Sequence, residues 1–172
     1  MKKWFLLVAA IWLGLYGVTA QNLVLGAKIP DFKLARWLTE APSEEEKHFV
    51  FIEFFYSTNP VSVERLVLLD EWADRYKDRL RVVVLTKEDS PEVAEKFRLD
   101  QCRYYVGLDD GGKTFAAYGV QYVPYGVVAD RRGRVVWLGN SAQLDEETLK
   151  KLLDNDLYKD RPLRKPPQKG AQ

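Results

Sequence analysis

Residues Phe49 to Tyr76, FVFIEFFYSTNPVSVERLVLLDEWADRY, run from an almost wholly apolar strand through a short polar break into an amphipathic helix. A strand with no polar face is buried on both sides, which predicts a central strand in a sheet covered by helices. The break carries helix-start chemistry. Ser57, Thr58 and Asn59 are good cap residues, and Pro60 suits the first helical position, so Asn59 is the expected cap. Behind it Leu66, Leu69, Trp72, Ala73 and Tyr76 recur at helical spacing on one face. Glu64, Arg65, Asp70, Glu71, Asp74, Arg75 and Lys77 are assigned to the other, solvated face. By that periodicity Trp72 and Tyr76 are core residues rather than a ligand platform. Glu53 stands inside the apolar strand, where burial raises a carboxyl pKa unless a partner stabilises the charge. Either it titrates abnormally, or it sits near a strand end or pairs with a Lys or Arg.

The flanking segments extend the pattern. Ile29-Pro30-Asp31-Phe32-Lys33-Leu34 alternates as an edge strand starting at a proline, and Thr39 to Lys47, without an apolar face, reads as a solvated loop. Arg81 to Leu85 is a second buried strand, and Asp89-Ser90-Pro91-Glu92 opens a short helix running to about Leu99. Strand, helix, strand, helix is the rhythm of a parallel crossover unit. Thr114 to Tyr118 makes a single helical turn. Tyr125–Ala129 and Arg134–Leu138 are strands of a hairpin turning through Asp130-Arg131-Arg132-Gly133. Leu144 to Leu153 closes the domain as a helix with Asp145 and Glu146 at its start and Lys150 and Lys151 at its end, charges that complement its dipole. The fold class is therefore α/β, a central mixed sheet flanked by helices.

The ends and the composition bound the function. Lys2 and Lys3 precede an apolar run from Trp4 to Val18, with Thr19-Ala20 before Gln21, the layout of a secretory signal peptide over residues 1–20. The run is short for a membrane span, which takes about 20 apolar residues; the alternative is an uncleaved N-terminal anchor. Residues 21–157 then form one domain, and residues 158–172, basic and proline-rich from Lys159, a disordered tail. Taking Lys2 and Lys3 from 26 basic residues against 25 acidic ones leaves a net charge of −1, which favours neither nucleic acid nor a membrane surface as partner. The expected location is the periplasm or the exterior. Cys102 is the chain's one cysteine, so no internal disulfide can form. With one His (His48) and one Met besides, the chain lacks the soft ligands of a zinc or copper site, and no metal or cofactor is expected.

From about Gly26 to Leu153 the chain resembles the TlpA/ResA-like (redoxin) branch of the thioredoxin superfamily, the anchored or secreted disulfide oxidoreductases of bacteria. Ile29-Pro30-Asp31-Phe32 is similar to the family's Pro-Asp-Phe entry, and FIEFFYSTNPVSVERL to the strand, loop and helix around its Cys-x-x-Cys. Leu108-Asp109 through Tyr118-Gly119-Val120 resembles the approach to its proline loop. Tyr122-Val123-Pro124-Tyr125 and Ala129 to Val135 resemble that loop and the hairpin after it. The resemblance implies a thioredoxin-like fold, with Asn59 at the attacking cysteine, Ser62 at the resolving one, Glu53 at the buried proton-shuttling acid and Pro124 as the cis-proline.

Both sulfurs are absent, and neither an amide nor an unactivated hydroxyl attacks a disulfide. Serine catalysis by Ser62 is disfavoured because His48 lies at the far end of the strand, beyond hydrogen-bond reach. Cys102, flanked by Arg103, is the alternative thiol, although it matches no catalytic cysteine of the family and burial is usual for the residue type. Three functions remain. The favoured one is a redox-inactive module that binds a protein or peptide in the cell envelope, with Tyr56, Tyr122, Val123, Pro124 and Tyr125 bordering the groove. The second is a one-cysteine oxidoreductase or peroxidase using Cys102. The third is a structural part docked through the basic tail. Nucleic acid and metal are not expected partners, and a membrane only through an uncleaved N-terminal segment.

Overall fold

The computed structural model describes residues 23–43 and 47–155. The signal-peptide reading of residues 1–20, the tail of 158–172 and part of the Thr39–Lys47 loop lie outside them. Six strands, β1 (Arg36–Trp37), β2 (Phe49–Phe55), β3 (Leu80–Thr86), β4 (Tyr105–Leu108), β5 (Tyr125–Ala129) and β6 (Val135–Gly139), form one sheet in the order β1-β4-β3-β2-β5-β6. β2, β3 and β4 run parallel, while β5, β6 and β1 are antiparallel to their neighbours. The helices are α1 (Pro60–Arg75), α2 (Pro91–Phe97), α3 (Lys113–Ala117) and α4 (Glu146–Asp154).

The apolar run of β2 is explained by two cores. Because side chains alternate along a strand, Phe49, Phe51 and Phe55 join Leu66, Leu69 and Trp72 of α1 and Leu149 and Leu153 of α4. Ile52 and Phe54 join Phe115, Tyr118 and Tyr125 on the opposite face. Each such side chain contributes about 1.5–3 kcal/mol by burial, and ring contacts such as Phe51–Trp72, edge-on at 5.9 Å, add to it. Gly126, paired with Glu53, is required by close approach. A Cβ there would lie 2.7 Å from Phe51 Cε2 and 3.0 Å from Ser141 Cβ.

Three sequence expectations need correction. Ile29–Leu34 is not a strand; only Lys28 makes an isolated bridge, to Arg134, and the edge strand is β1, paired with β4. Pro30 has no N–H to give a ladder; Ile29 N still reaches the Gly133 carbonyl at 2.8 Å, and beyond it the segment is held through side chains. Lys33 N donates to Thr114 Oγ1 at 2.8 Å, and Tyr118 Oη donates to the Pro30 carbonyl at 2.8 Å. The final helix begins at Glu146 rather than Leu144, since Asp145 is its cap and accepts from Thr148 N at 2.8 Å. Arg65, assigned to the solvated face of α1, is buried.

Candidate functional site

β2 delivers the chain to the top of the sheet at Phe55, and the turn that follows is held from two sides. Ser57 donates through its N–H and its hydroxyl to the Glu88 carboxylate, at 2.6 and 2.8 Å, fastening the turn to the loop between β3 and α2. Asn59 caps α1 from an extended backbone (φ −95°, ψ 110°), its Oδ1 accepting from Ser62 N at 3.0 Å. Its Nδ2 donates to the Val123 carbonyl at 2.9 Å. One amide therefore satisfies an orphan N–H of the helix and ties the helix start to the loop before β5. In that loop the Val123–Pro124 peptide bond is cis, and Pro124 is buried.

Asn59, Val123 and Pro124 are thus brought together, with Ser62 one turn into α1 and fully buried. Beneath them Glu53, also fully buried, accepts from Ser141 Oγ at 2.7 Å through Oε1. Among the described residues its Oε2 has no hydrogen-bond partner, nor have Ser62 Oγ, Trp72 Nε1, or Nε and Nη2 of Arg65. Arg65 lies over the Trp72 ring, 5.7 Å from its centroid. Burial raises the Glu53 pKa to about 8, against the opposing pull of the Ser141 hydrogen bond and the Arg65 charge. Of the sequence alternatives, the charge partner exists, yet burial outweighs it. Burial in turn lowers the Arg65 pKa, and Glu53 acts against that.

The remaining expected residues separate. Tyr122 is 51 % exposed and Val61 44 % exposed, so both present apolar surface beside the Asn59 turn. Tyr56 is half-buried, its ring against Phe115 at 5.7 Å with Lys87 Nζ 5.3 Å above it. Tyr125 corrects the sequence reading. It is 8 % exposed and packs on Phe54, so it supports Tyr122 edge-on at 5.5 Å from the core side instead of bordering a groove.

Cys102 does not join this site. It lines a cavity of about 610 Å³ between α1 and the end of α2, with Leu66, Val67, Phe97 and Arg103 among its neighbours. Its thiol lies 3.5 Å from the Tyr104 carbonyl and 3.8 Å from that of Leu99. Burial, with Asp70 nearby, pushes its pKa up to about 11. The flanking Arg103, a cation of the kind that would favour a thiolate, is spent on Asp70 at 2.7 Å and Asp74 at 3.4 Å. His48, at the foot of β2, is the length of that strand from the Asn59 turn, roughly 20 Å at 3.3 Å per residue. Ser62 therefore has no imidazole within reach.

Sequence reasoning missed Arg65, Ser141, Glu88 and Val61. Arg65 was findable, because it stands three residues after buried Ser62 and seven before Trp72 on the inward stripe of α1; its charge concealed it. Ser141 and Glu88 reach the site only through the fold, and no local signal marks them.

No protein-family model matches the sequence, and no curated protein matches it. Solved structures do. A thiol:disulfide interchange protein DsbE from Chlorobium tepidum superposes with a TM-score of 0.62 at 22% identity, covering 77% of this chain and 99% of its own. A thiol-disulfide isomerase from Corynebacterium glutamicum gives 0.61 at 21% identity, covering 75% and 95%. The exposed lipoprotein thioredoxin Etrx1 from Streptococcus pneumoniae gives 0.53 at 22%, covering 63% and 84%. At these identities the likeness is one of architecture, and with the mixed six-stranded sheet it establishes that this chain has the thioredoxin-like fold.

Proposed function

We propose that this protein is an exported thioredoxin-fold module that binds an extended segment of another protein and performs no dithiol–disulfide exchange. The observation that carries the reading is the Asn59 side chain. At the head of α1, where exchange would need a thiolate, stands an amide whose acceptor and donor are both committed, to Ser62 N and the Val123 carbonyl. Around that fixed point Val61 and Tyr122 face solvent, the kind of rigid apolar and aromatic surface that binds polypeptide. Export is supported by the basic, apolar and small-residue layout of residues 2–20. A Cys102-dependent enzyme is opposed by the raised pKa of that thiol, since the thiolate is the nucleophile.

The test is reduction of insulin disulfides by the natural protein, by Cys102→Ser and by the double variant Asn59→Cys, Ser62→Cys. The natural protein and Cys102→Ser should be inactive and the double variant active. Activity in the natural protein that disappears with Cys102→Ser overturns the reading. For the binding arm, an array of extended peptides is probed with the natural protein and with Tyr122→Ala. Retention of the same peptides at unchanged affinity by Tyr122→Ala removes Tyr122 from the surface.

A further inference from the structure

The cavity that Cys102 lines, between α1 and the end of α2, takes no part in the Asn59 site. Its floor is apolar: Val63, Leu66, Phe97 and Cys102 line it, and Leu66 and Phe97 belong to the core beneath. Its walls carry opposite charges. Asp70 and Glu71 stand on α1, and Lys96, Arg98 and Arg103 stand on the other side, from the last turn of α2 onward. Asp70 and Arg103 neutralise each other at 2.7 Å, which leaves Glu71 on one wall and Lys96 and Arg98 on the other. The acids Glu95 and Asp100 line a separate depression of about 440 Å³ on another face of α2, with Pro91 and Leu99. The α1 wall is also a ridge. Glu64, Val67 and Glu71 recur at i, i+3 and i+7 and so share one helix face. All three are exposed, Val67 by 67%. None of Glu64, Glu71, Lys96 and Arg98 makes an ion pair among the described residues. Arg98 caps α2 in the left-handed region, at φ 51° and ψ 52°, a conformation that costs an arginine energy and glycine almost none. Its side chain reaches no further than the Gln101 amide oxygen, at the lip of the same cavity.

We propose that this cleft receives the Glu64–Val67–Glu71 ridge of a second copy of the chain, in a two-fold dimer. The ridge is an apolar side chain between two acids, and the cleft is an apolar floor beside two cations. Each is the complement of the other in shape of charge and in polarity. A ligand of one charge would be opposed by one wall, whereas a surface that carries both halves is satisfied by itself. Ridge and cleft share Val67 and Glu71, so the two halves lie side by side on every copy. That adjacency is what a self-complementary contact requires, because a two-fold axis makes the residue that receives on one copy face the residue that enters from the other, and the reverse. Val67 then covers the apolar floor, and the acids of α1 face Lys96 and Arg98 across both halves of the contact. Dimerisation through this cleft does not depend on what the Asn59–Tyr122 face binds.

The test is sedimentation velocity on the full chain in a neutral detergent, with micelles in excess over protein so that the apolar run Trp4 to Val18 does not itself join chains. The natural protein should sediment as a dimer in equilibrium with monomer. Glu71→Lys and Lys96→Glu, both at exposed positions, each replace two attractions by two repulsions in the dimer. Each should raise the dissociation constant roughly thirtyfold. An equimolar mixture of the two variants restores attraction at both contacts and should bring the dissociation constant back to near the natural value. Arg98→Gly suits the left-handed backbone, so it keeps the fold while removing a cation from each contact, and should weaken the dimer about fivefold. Four results overturn the proposal: natural protein that is monomeric, a single charge variant that dimerises as tightly as the natural protein, a mixture no tighter than either variant alone, or Arg98→Gly with undiminished affinity.

Discussion

Glu53 should make this protein less stable as the pH rises, the reverse of the usual behaviour of a carboxylate in an ion pair. Its carboxyl ionises near 4.5 when exposed and at about 8 in the fold, with burial as the leading cause. Below pH 4.5 it is protonated in both states, and the stability belonging to it is fully present. As the pH climbs, the unfolded chain releases the proton first, and each pH unit costs folding about 1.4 kcal/mol until the folded form ionises too. The loss is roughly 3 kcal/mol by pH 7 and about 5 kcal/mol once the pH passes 8. That is comparable to the whole stability of an ordinary domain. Glu53→Gln keeps an acceptor for Ser141 Oγ and replaces the acid proton with an amide donor, so it removes the titration while keeping the shape. Urea unfolding of both proteins, from pH 5 to pH 9, isolates the effect as a difference. The two should be nearly equal at pH 5, and Gln should lead by several kcal/mol at pH 9. A difference that stays flat, or natural protein that gains on the variant as the pH rises, would show that the Arg65 charge holds the carboxylate ionised and would refute the dominance of burial.

Other perturbations read other parts of the site. Gly126→Ala drives a methyl into Phe51 and Ser141, and overpacking of that kind should cost about 1–3 kcal/mol in urea unfolding; a neutral result would mean that Phe51 moves aside freely. Cys102, with its pKa pushed up to about 11, should react with iodoacetamide slowly at pH 7 and roughly tenfold faster per pH unit above it, whereas rapid alkylation at neutral pH would place the thiol in a polar, accessible setting. Asn59→Asp keeps the helix cap but has no N–H for the Val123 carbonyl, so faster hydrogen exchange should appear around residues 122–124 with the helix start unaffected; Asn59→Ala should in addition cost about 1 kcal/mol of stability.

What the sequence made legible was whatever is written in local chemistry. Asn59 and Pro60 announce the start of α1, Ser90 and Pro91 that of α2, and the continuous apolar runs of β2 and β3 announce strands covered on both faces. Illegible features were those in which a long-range partner decides. Lys33 N finds the Thr114 hydroxyl in place of a neighbouring strand, so an alternating segment becomes an extended connection. Arg65 is buried under α1, over the Trp72 ring and within the influence of the Glu53 charge, and its residue type predicts the contrary. Tyr125 turns inward onto Phe54 while Tyr122, three residues earlier, turns out, and composition does not distinguish them.

Asparagine at position 59 does more than leave the head of α1 without a thiol. The head of α1 has backbone N–H groups that need an acceptor, and the loop before β5 offers the Val123 carbonyl, which needs a donor. A serine there supplies the acceptor but is short for the crossing, and an aspartate supplies the acceptor while setting negative charge against a carbonyl oxygen. Asparagine carries both groups on one planar amide, and the observed 3.0 and 2.9 Å bonds use one of each. The polar demand that a thiolate would meet as a reactive anion is met here by a neutral clamp. That clamp fixes the distance between the Val61 side of the helix start and the Tyr122 side of the loop, the two exposed apolar positions of this face. A surface whose halves are fastened before a partner arrives loses little freedom on binding, so under the proposed function the absence of a thiol at position 59 and the preorganisation of the face trace to the same residue.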